Sequence, residues 1–414
     1  MNWKLFTILT GSVAALAAAA GLTLACADGP DPTDEPTFFF NTVSGKPAFM
    51  PFYYTPYIHF YTDWYSFERS EWKIEDLHSA NVASWVAYTG NKVPAADVDS
   101  LVYGADAGSM MQLYEHIRKG YTLKVPAKVN TNALTRWLIA KKDHEAAHYL
   151  WFAKKCEPYA QPPLMDWEPK PYQLAPHNDS AAMQGLVHEG IKLCDAATNA
   201  EMKLRYAYQC MRMAFYSREY AQTLMLFATR VKPANHILYY RCMALKAGAL
   251  VRTRRGPEAA VAYSHVFDSC DALKEEAYLG FEAATDGNIS VVFPWCANSH
   301  DKALMYIMRG LHEYEGPDNT EANIRGAWQL EPEIAGLDVL MTRALNKLEA
   351  DAIPALAAVG IRANPDAAAL NAMAQQIATD GRSRSTAYWW LASAYLYIMQ
   401  GDPGSGPKRL DMAR

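Results

Sequence analysis

Two stretches of the chain repeat one spacing, and that repeat narrows the possible folds more than anything else in the sequence. In HEAAHYLWFAKKCEP, Ala146 is followed by Leu150, Ala153 and Pro158; in EYAQTLMLFATRVKP, Ala221 is followed by Met225, Ala228 and Pro233. Both carry a Phe-Ala pair, Phe152-Ala153 and Phe227-Ala228, with a basic residue two positions on. Residues three and four apart share a helix face, so each stretch spells one helical stripe that ends at a proline. Small side chains on that stripe let a second helix approach closely. A helix of this kind cannot bury its stripe alone, and its recurrence points to stacked helical units.

The end of the chain adds the first helix of such a unit. In YWWLASAYLYIMQGDPGSGPKRLDMAR, Trp390, Ala394 and Tyr397 precede Gly406, Leu410 and Ala413. This order resembles the tetratricopeptide (TPR) repeat, a helix–turn–helix unit of about 34 residues. Helical spacing also runs through DLHSANVASWVAYTG, DAGSMMQLYEHIRKG and TNALTRWLIAKK. The expected fold is therefore all-α. A TPR-like helical-repeat (α-solenoid) body should cover 121–414, after an aromatic-rich segment and first helices over 46–120. ISVVFPW is the clearest strand-like run, limited by Pro294. LMTRALNKLEADAI, 340–353, reads as an amphipathic helix with Arg343, Lys347 and Glu349 on its wet side. The last unit starts near Ser385 and ends without a capping helix. The chain is thus expected to continue into at least one more helix, or a partner to cover that end.

Residues 1–26 read as an address. Lys4 precedes the apolar run LFTILTGSVAALAAAAGLTLA, which ends at Ala25-Cys26. The pattern resembles a bacterial lipoprotein signal in which Cys26 is lipidated. The rival reading is an uncleaved membrane anchor. Residues 27–45, acidic and rich in proline, read as a flexible tether. PAFMPFYYTPYIHFYTDWYSF follows, and its prolines exclude a regular helix. It is expected to run extended along a folded body and to pack by its rings. The sharper alternative is a carbohydrate-stacking surface.

The one catalytic signature is His144-Glu145-Ala146-Ala147-His148, an H-E-x-x-H. On a helix this motif holds zinc between two histidines, with the glutamate as general base. Glu168 lies where one peptidase class places a third ligand, but Pro162, Pro163, Pro169 and Pro171 break the helix that would carry it. Glu219, Tyr220 and Thr223 replace His144, Glu145 and His148 in the sister stretch, so the framework recurs and the ligands do not. Asp143 reads as an N-cap, which puts His144 and Glu145 in an exposed first turn. His300-Asp301 likewise reads as a helix start. No P-loop, G-x-G-x-x-G or G-x-S-x-G is present. No catalytic residue, metal ligand or cofactor is therefore assigned.

A net charge of −5 without a basic stripe argues against nucleic acid. Cys156, Cys194, Cys210, Cys242, Cys270 and Cys296 mostly fall within apolar helical patterns and read as packing thiols rather than disulfides. ACADGPDPTDEPTFFFNT, FMPFYYTPYIHFY, KKDHEAAHYLWFAKKCEP and LMTRALNKLEA together resemble large uncharacterised TPR-like lipoproteins of the Gram-negative cell envelope. That family carries no assigned activity, so the resemblance implies only architecture and an outer-membrane location, periplasmic or surface-exposed. A second lipoprotein family binds surface glycans through TPR helices, but its start after the cysteine is missing here. The expected role is a lipid-anchored, non-catalytic scaffold that binds another envelope protein or complex. Its membrane contact is through the lipid alone. A glycan-binding surface lipoprotein and an H-E-x-x-H zinc metallopeptidase are the alternatives.

Overall fold

A computed structural model of the chain describes residues 47–52, 76–160, 179–285, 287–312, 320–359, 365–402 and 404–413. Cys26, the tether, Glu168 and residues 53–75 of the aromatic run lie outside them. Among the described residues there are eighteen α-helices and no strand. They are α1 (Leu77–Tyr88), α2 (Ala95–Val102), α3 (Ala107–Lys119), α4 (Ala127–Asn130), α5 (Ala133–Lys141) and α6 (His144–Cys156). Next come α7 (Ser180–Ala196), α8 (Ala200–Tyr216), α9 (Tyr220–Arg230), α10 (Ile237–Arg252), α11 (Gly256–Ser269) and α12 (Lys274–Thr285). The last six are α13 (Ser299–His312), α14 (Thr320–Leu330), α15 (Leu337–Val359), α16 (Pro365–Asp380), α17 (Thr386–Met399) and α18 (Gly406–Ala413). From α7 onward most helices pack on the next helix, and α8, α10, α11, α13 and α14 pack also on the one after it. This is the nearest-neighbour packing of a helical-repeat body.

Local sequence explains where many helices begin and how the pairs turn. Asp76, Asp106, Asn132, Asp143, Asp179 and Asn199 each accept a main-chain N–H of the turn that follows. Between paired helices one residue swings to positive φ: Lys142 (52°), Arg218 (66°), Arg254 (61°) and Gly401 (79°). In all four turns this residue donates its N–H to the carbonyl three back, and the next residue donates to the carbonyl five back. One left-handed residue thus closes the first helix and starts the second.

These turns correct the register read from the sequence. Lys142 and Arg218 are equivalent, and behind them Ala147 and Leu150 of α6 match Thr223 and Leu226 of α9, all four buried. This register runs one residue later than the shared spelling. One residue rotates a helix by about 100°, so Ala221, Met225 and Ala228 face outward on α9, while Ala146 and Leu150 face inward on α6. At the chain's end α17 and α18 approach closely at Ala394 and Gly406. Gly406 is buried, and a Cβ there would stand 3.1 Å from the Ala394 carbonyl. Arg409 of α18 lies over the rings of Trp390 and Tyr397.

The buried side chains form two cores. One runs from Val82 to Cys242; the other covers Met243 to Met399 and also takes in Phe49 and Phe52. Phe227, Ile237 and Tyr239 pack against both. The described start of the aromatic run packs by its rings as expected, but Pro47–Phe52 is wound into a 3₁₀ turn rather than extended. ISVVFPW is not a strand. Ile289–Val291 and Phe293–Trp295 are 3₁₀ turns, because the Asn288 side chain captures the Ser290 N–H and Pro294 has none to give a ladder. The wet side expected of α15 is also wrong. Arg343 and Glu349 are buried, since neighbouring elements supply partners. Arg343 donates to the Phe52 carbonyl at 2.9 Å, and the Tyr395 hydroxyl donates to Glu349 at 2.5 Å. The six cysteines after Cys26 are free thiols, five of them buried.

A non-glycine residue in the left-handed region costs roughly 1–2 kcal/mol. Glycine returns part of that as unfolded-chain entropy. Arg254→Gly should therefore raise stability by about 0.5 kcal/mol, and urea unfolding should show the gain as a higher midpoint at unchanged slope.

Candidate functional site

The H-E-x-x-H residues open α6, as the Asp143 cap requires, and each has a structural environment. The Asp143 carboxylate accepts the Ala146 N–H at 3.0 Å and the Tyr88 hydroxyl at 2.7 Å. His144 is exposed. Glu145 reaches across to the start of α8 and accepts the Thr198 N–H (3.0 Å), the Asn199 N–H (3.0 Å) and the Thr198 hydroxyl (2.5 Å). A carboxylate suits this place, because the first N–H groups of a helix lack partners within it and carry partial positive charge. Partial burial opposes ionisation of Glu145, but these bonds outweigh it and hold the carboxyl below the usual glutamate range. His148 stacks on Tyr114 with centroids 4.3 Å apart and planes 14° apart, and Trp151 lies 5.5 Å away. Burial pulls the His148 pKa down, so the ring favours its neutral form. Among the described residues, no group of three or more His, Cys, Asp or Glu side chains is placed to hold a metal ion.

Pro47–Phe52 occupies a socket between α11, α12 and the start of α15. Phe52 meets Phe267 and Tyr278 edge to face, with centroids 5.4 and 5.2 Å apart; Phe49 meets Phe267 at 5.8 Å. The Lys274 ammonium lies 4.7 Å from the Phe49 ring centre and 4.5 Å from that of Phe267. Arg343 closes the socket by its bond to the Phe52 carbonyl. Gly336, at φ 95°, forms one wall; a Cβ there would come 3.2 Å from Phe49 and 2.9 Å from Ile307. Sequence reasoning gave the aromatic run a packing role but named no partners for it. The available signal was two phenylalanines three apart between prolines, and nothing local says which distant helices receive them.

A cleft of about 600 Å³ opens where α1 meets the start of α10 and the end of α11. Tyr88, Glu201, His236, Tyr240, Asp268 and Asp271 give it its chemistry. Its three carboxylates already face cations or ionisable bases. Glu201 accepts Arg205 Nη2 at 2.6 Å, and Arg205, with no exposed side chain, lies 3.8 Å over Trp85. Asp271 lies 3.3 Å from Lys274, and Asp268 lies 3.3 Å from His300. His300 also bonds Glu331 at 2.6 Å. Partial burial pulls the His300 pKa down, but the hydrogen bond and charge of Glu331, with Asp268 behind, more than reverse this and raise it. Asp301 lies in the first turn of α13, where it accepts the Ala297 N–H at 2.8 Å and faces His265 at 2.9 Å. That is a helix start, as the sequence suggests.

Glu145→Gln should cost about 1 kcal/mol, from weakened charge-assisted bonds at a partly exposed site. His144→Ala should stay within about 0.5 kcal/mol. The two other histidines should respond oppositely to pH. His300 has a raised folded pKa, so its contribution is full below the unfolded value near 6.5 and fades as pH rises through the folded value. The gap between wild type and His300→Gln should be widest in acid. His148 has a lowered pKa, so acid favours the unfolded chain below pH 6.5, and His148→Phe should lessen that loss. Chemical denaturation from pH 5 to 9 reads all four variants.

No protein-family model, curated protein or solved structure matches the chain, so its functional reading rests on sequence and geometry.

Proposed function

We propose that this chain is a lipid-anchored helical-repeat protein of the cell envelope that acts as a non-catalytic scaffold for another protein. The observation that carries this reading is the socket. The array holds a polypeptide segment, remote in sequence, by two inserted rings and one captured main-chain carbonyl. Side-chain pockets give such recognition its specificity, and main-chain hydrogen bonds add affinity. The peptidase alternative is weakened because Glu145, its would-be base, is bonded to the start of α8. The glycan alternative is weakened because the two described phenylalanines of the aromatic run, Phe49 and Phe52, are buried. Membrane attachment rests on Cys26 and on the lipoprotein resemblance. No helix among the described residues is long and apolar enough to cross a membrane.

Cys26→Ser should release the protein from membranes or leave an unprocessed precursor; mature protein with an unmodified Cys26 would sink the anchor. Photo-crosslinking residues at the exposed positions Met225 and Trp295 should give a discrete adduct with another envelope protein in cells. Stoichiometric zinc that is lost in His148→Ala would overturn the scaffold in favour of a peptidase. Tryptophan fluorescence quenched by oligosaccharides would overturn it in favour of a glycan binder.

A further inference from the structure

We propose that the socket is an exchangeable binding site, held in the resting chain by its own Phe49 and Phe52. Its ligand in trans is a partner-protein segment that presents two phenylalanine rings three residues apart on a tight turn. This rests on the scaffold reading and names the partner's chemistry.

Among the described residues, the receiving surface belongs to the C-terminal core. Phe267, Lys274, Tyr278, Gly336 and Arg343 build it, and Arg343 lies 291 positions from the residue whose carbonyl it binds. The next described helix, α1, contributes Val82 and Trp85 to the other core. The contacts that Phe49 and Phe52 make with Phe267, Lys274, Tyr278 and Arg343 therefore do not require those residues to be joined to α1.

Three features go beyond filling a core. Lys274 and Arg343 are 3% and 8% exposed. Cations are costly to bury unless their surroundings satisfy them. Lys274 is held within the receiving body by the Phe267 carbonyl and Asp271 and presents its charge to the Phe49 ring, while Arg343 donates to the Phe52 carbonyl. A ring and a main-chain carbonyl are two features that any phenylalanine-bearing peptide offers. Gly336 leaves room for the Phe49 ring that a single added carbon would crowd. Finally, the insert is one short 3₁₀ turn, whose own hydrogen bonds are poorly aligned. Pro47 and Pro51 restrict its backbone before it binds, which lowers the ordering cost for this segment and for any ligand of the same design.

Tethering in cis gives the chain's own segment a high effective concentration. A partner segment must outcompete it, or bind when it has withdrawn. The scaffold is thereby closed to weak ligands and open to those that match both rings and the carbonyl.

The test uses full-length protein and a labelled peptide, KPAFMPFY, corresponding to residues 46–53. Phe49→Ala/Phe52→Ala should empty the socket. By fluorescence anisotropy it should bind the peptide about tenfold or more tightly than wild type does. A peptide with both phenylalanines changed to alanine should not bind, and adding Arg343→Gln to the variant should weaken binding. A folded variant that binds no better than wild type overturns the proposal. If the variant does not fold alone, refolding with excess peptide decides: recovery of a native melt supports exchange, and no recovery refutes it. A wild-type chain that dimerises by trading its own segment, with no response to peptide, assigns the socket to a second copy and also refutes the partner. Failure here leaves the envelope crosslink intact, whereas loss of that crosslink removes the scaffold reading itself.

Discussion

A single left-handed residue between paired helices decides which face of each helix can be buried. When Lys142, Arg218, Arg254 or Gly401 takes positive φ, the carbonyls of the first helix are satisfied and the second leaves in a set direction. The stripe that then meets the neighbours is set to within one residue. A slip of one would turn the helix by about 100° and leave apolar groups in water. Leu226 at 0% exposure and Met225 at 45%, adjacent in α9, mark that boundary. Three of these turns use Lys or Arg, so the local strain is tolerated and must be offset by the packing on both sides.

The socket adds what nearest-neighbour stacking lacks, a long-range tie. Burying a phenylalanine contributes roughly 1.5–3 kcal/mol, so Phe49 and Phe52 together stabilise the C-terminal core by about 3–6 kcal/mol. That is a large part of the 5–15 kcal/mol typical of a folded domain. An empty socket is then a weakened state rather than a neutral one. Binding by this surface is therefore linked to the stability of the helices that form it. An occupant that matches the rings restores what withdrawal of the segment removes.

The polar groups around the H-E-x-x-H and the cleft are bonded to neighbouring elements. Glu145 caps the start of α8, Asp143 caps α6 and takes the Tyr88 hydroxyl, and Arg205 joins Glu201 and Ser84 over the face of Trp85. The cleft is walled by such pairs. Its carboxylates face Arg205, Lys274 and His300, an arrangement suited to holding elements in place more than to moving protons. His148, half-buried, stacks on Tyr114 beside Trp151. The motif is spelled by a capped helix start that serves two neighbouring helices.

The all-helical class, the cap at Asp143 and the first-turn places of His144 and Glu145 follow from spacing and side-chain chemistry along a few turns. These are local properties, because a helix and its cap are decided within about four residues. What the sequence could not carry is the side on which a stripe lies once a turn has set the register, which put Met225 and Ala228 outside. Nor could it show that Arg343 and Glu349 go inside, since their partners, the Phe52 carbonyl and Tyr395, are far away along the chain. A charged side chain is buried where the tertiary structure brings it an acceptor or a donor. The partners of Phe49 and Phe52 were undecided for the same reason: an aromatic ring calls for burial but does not specify where, and only the assembled helices supply a cavity of its shape.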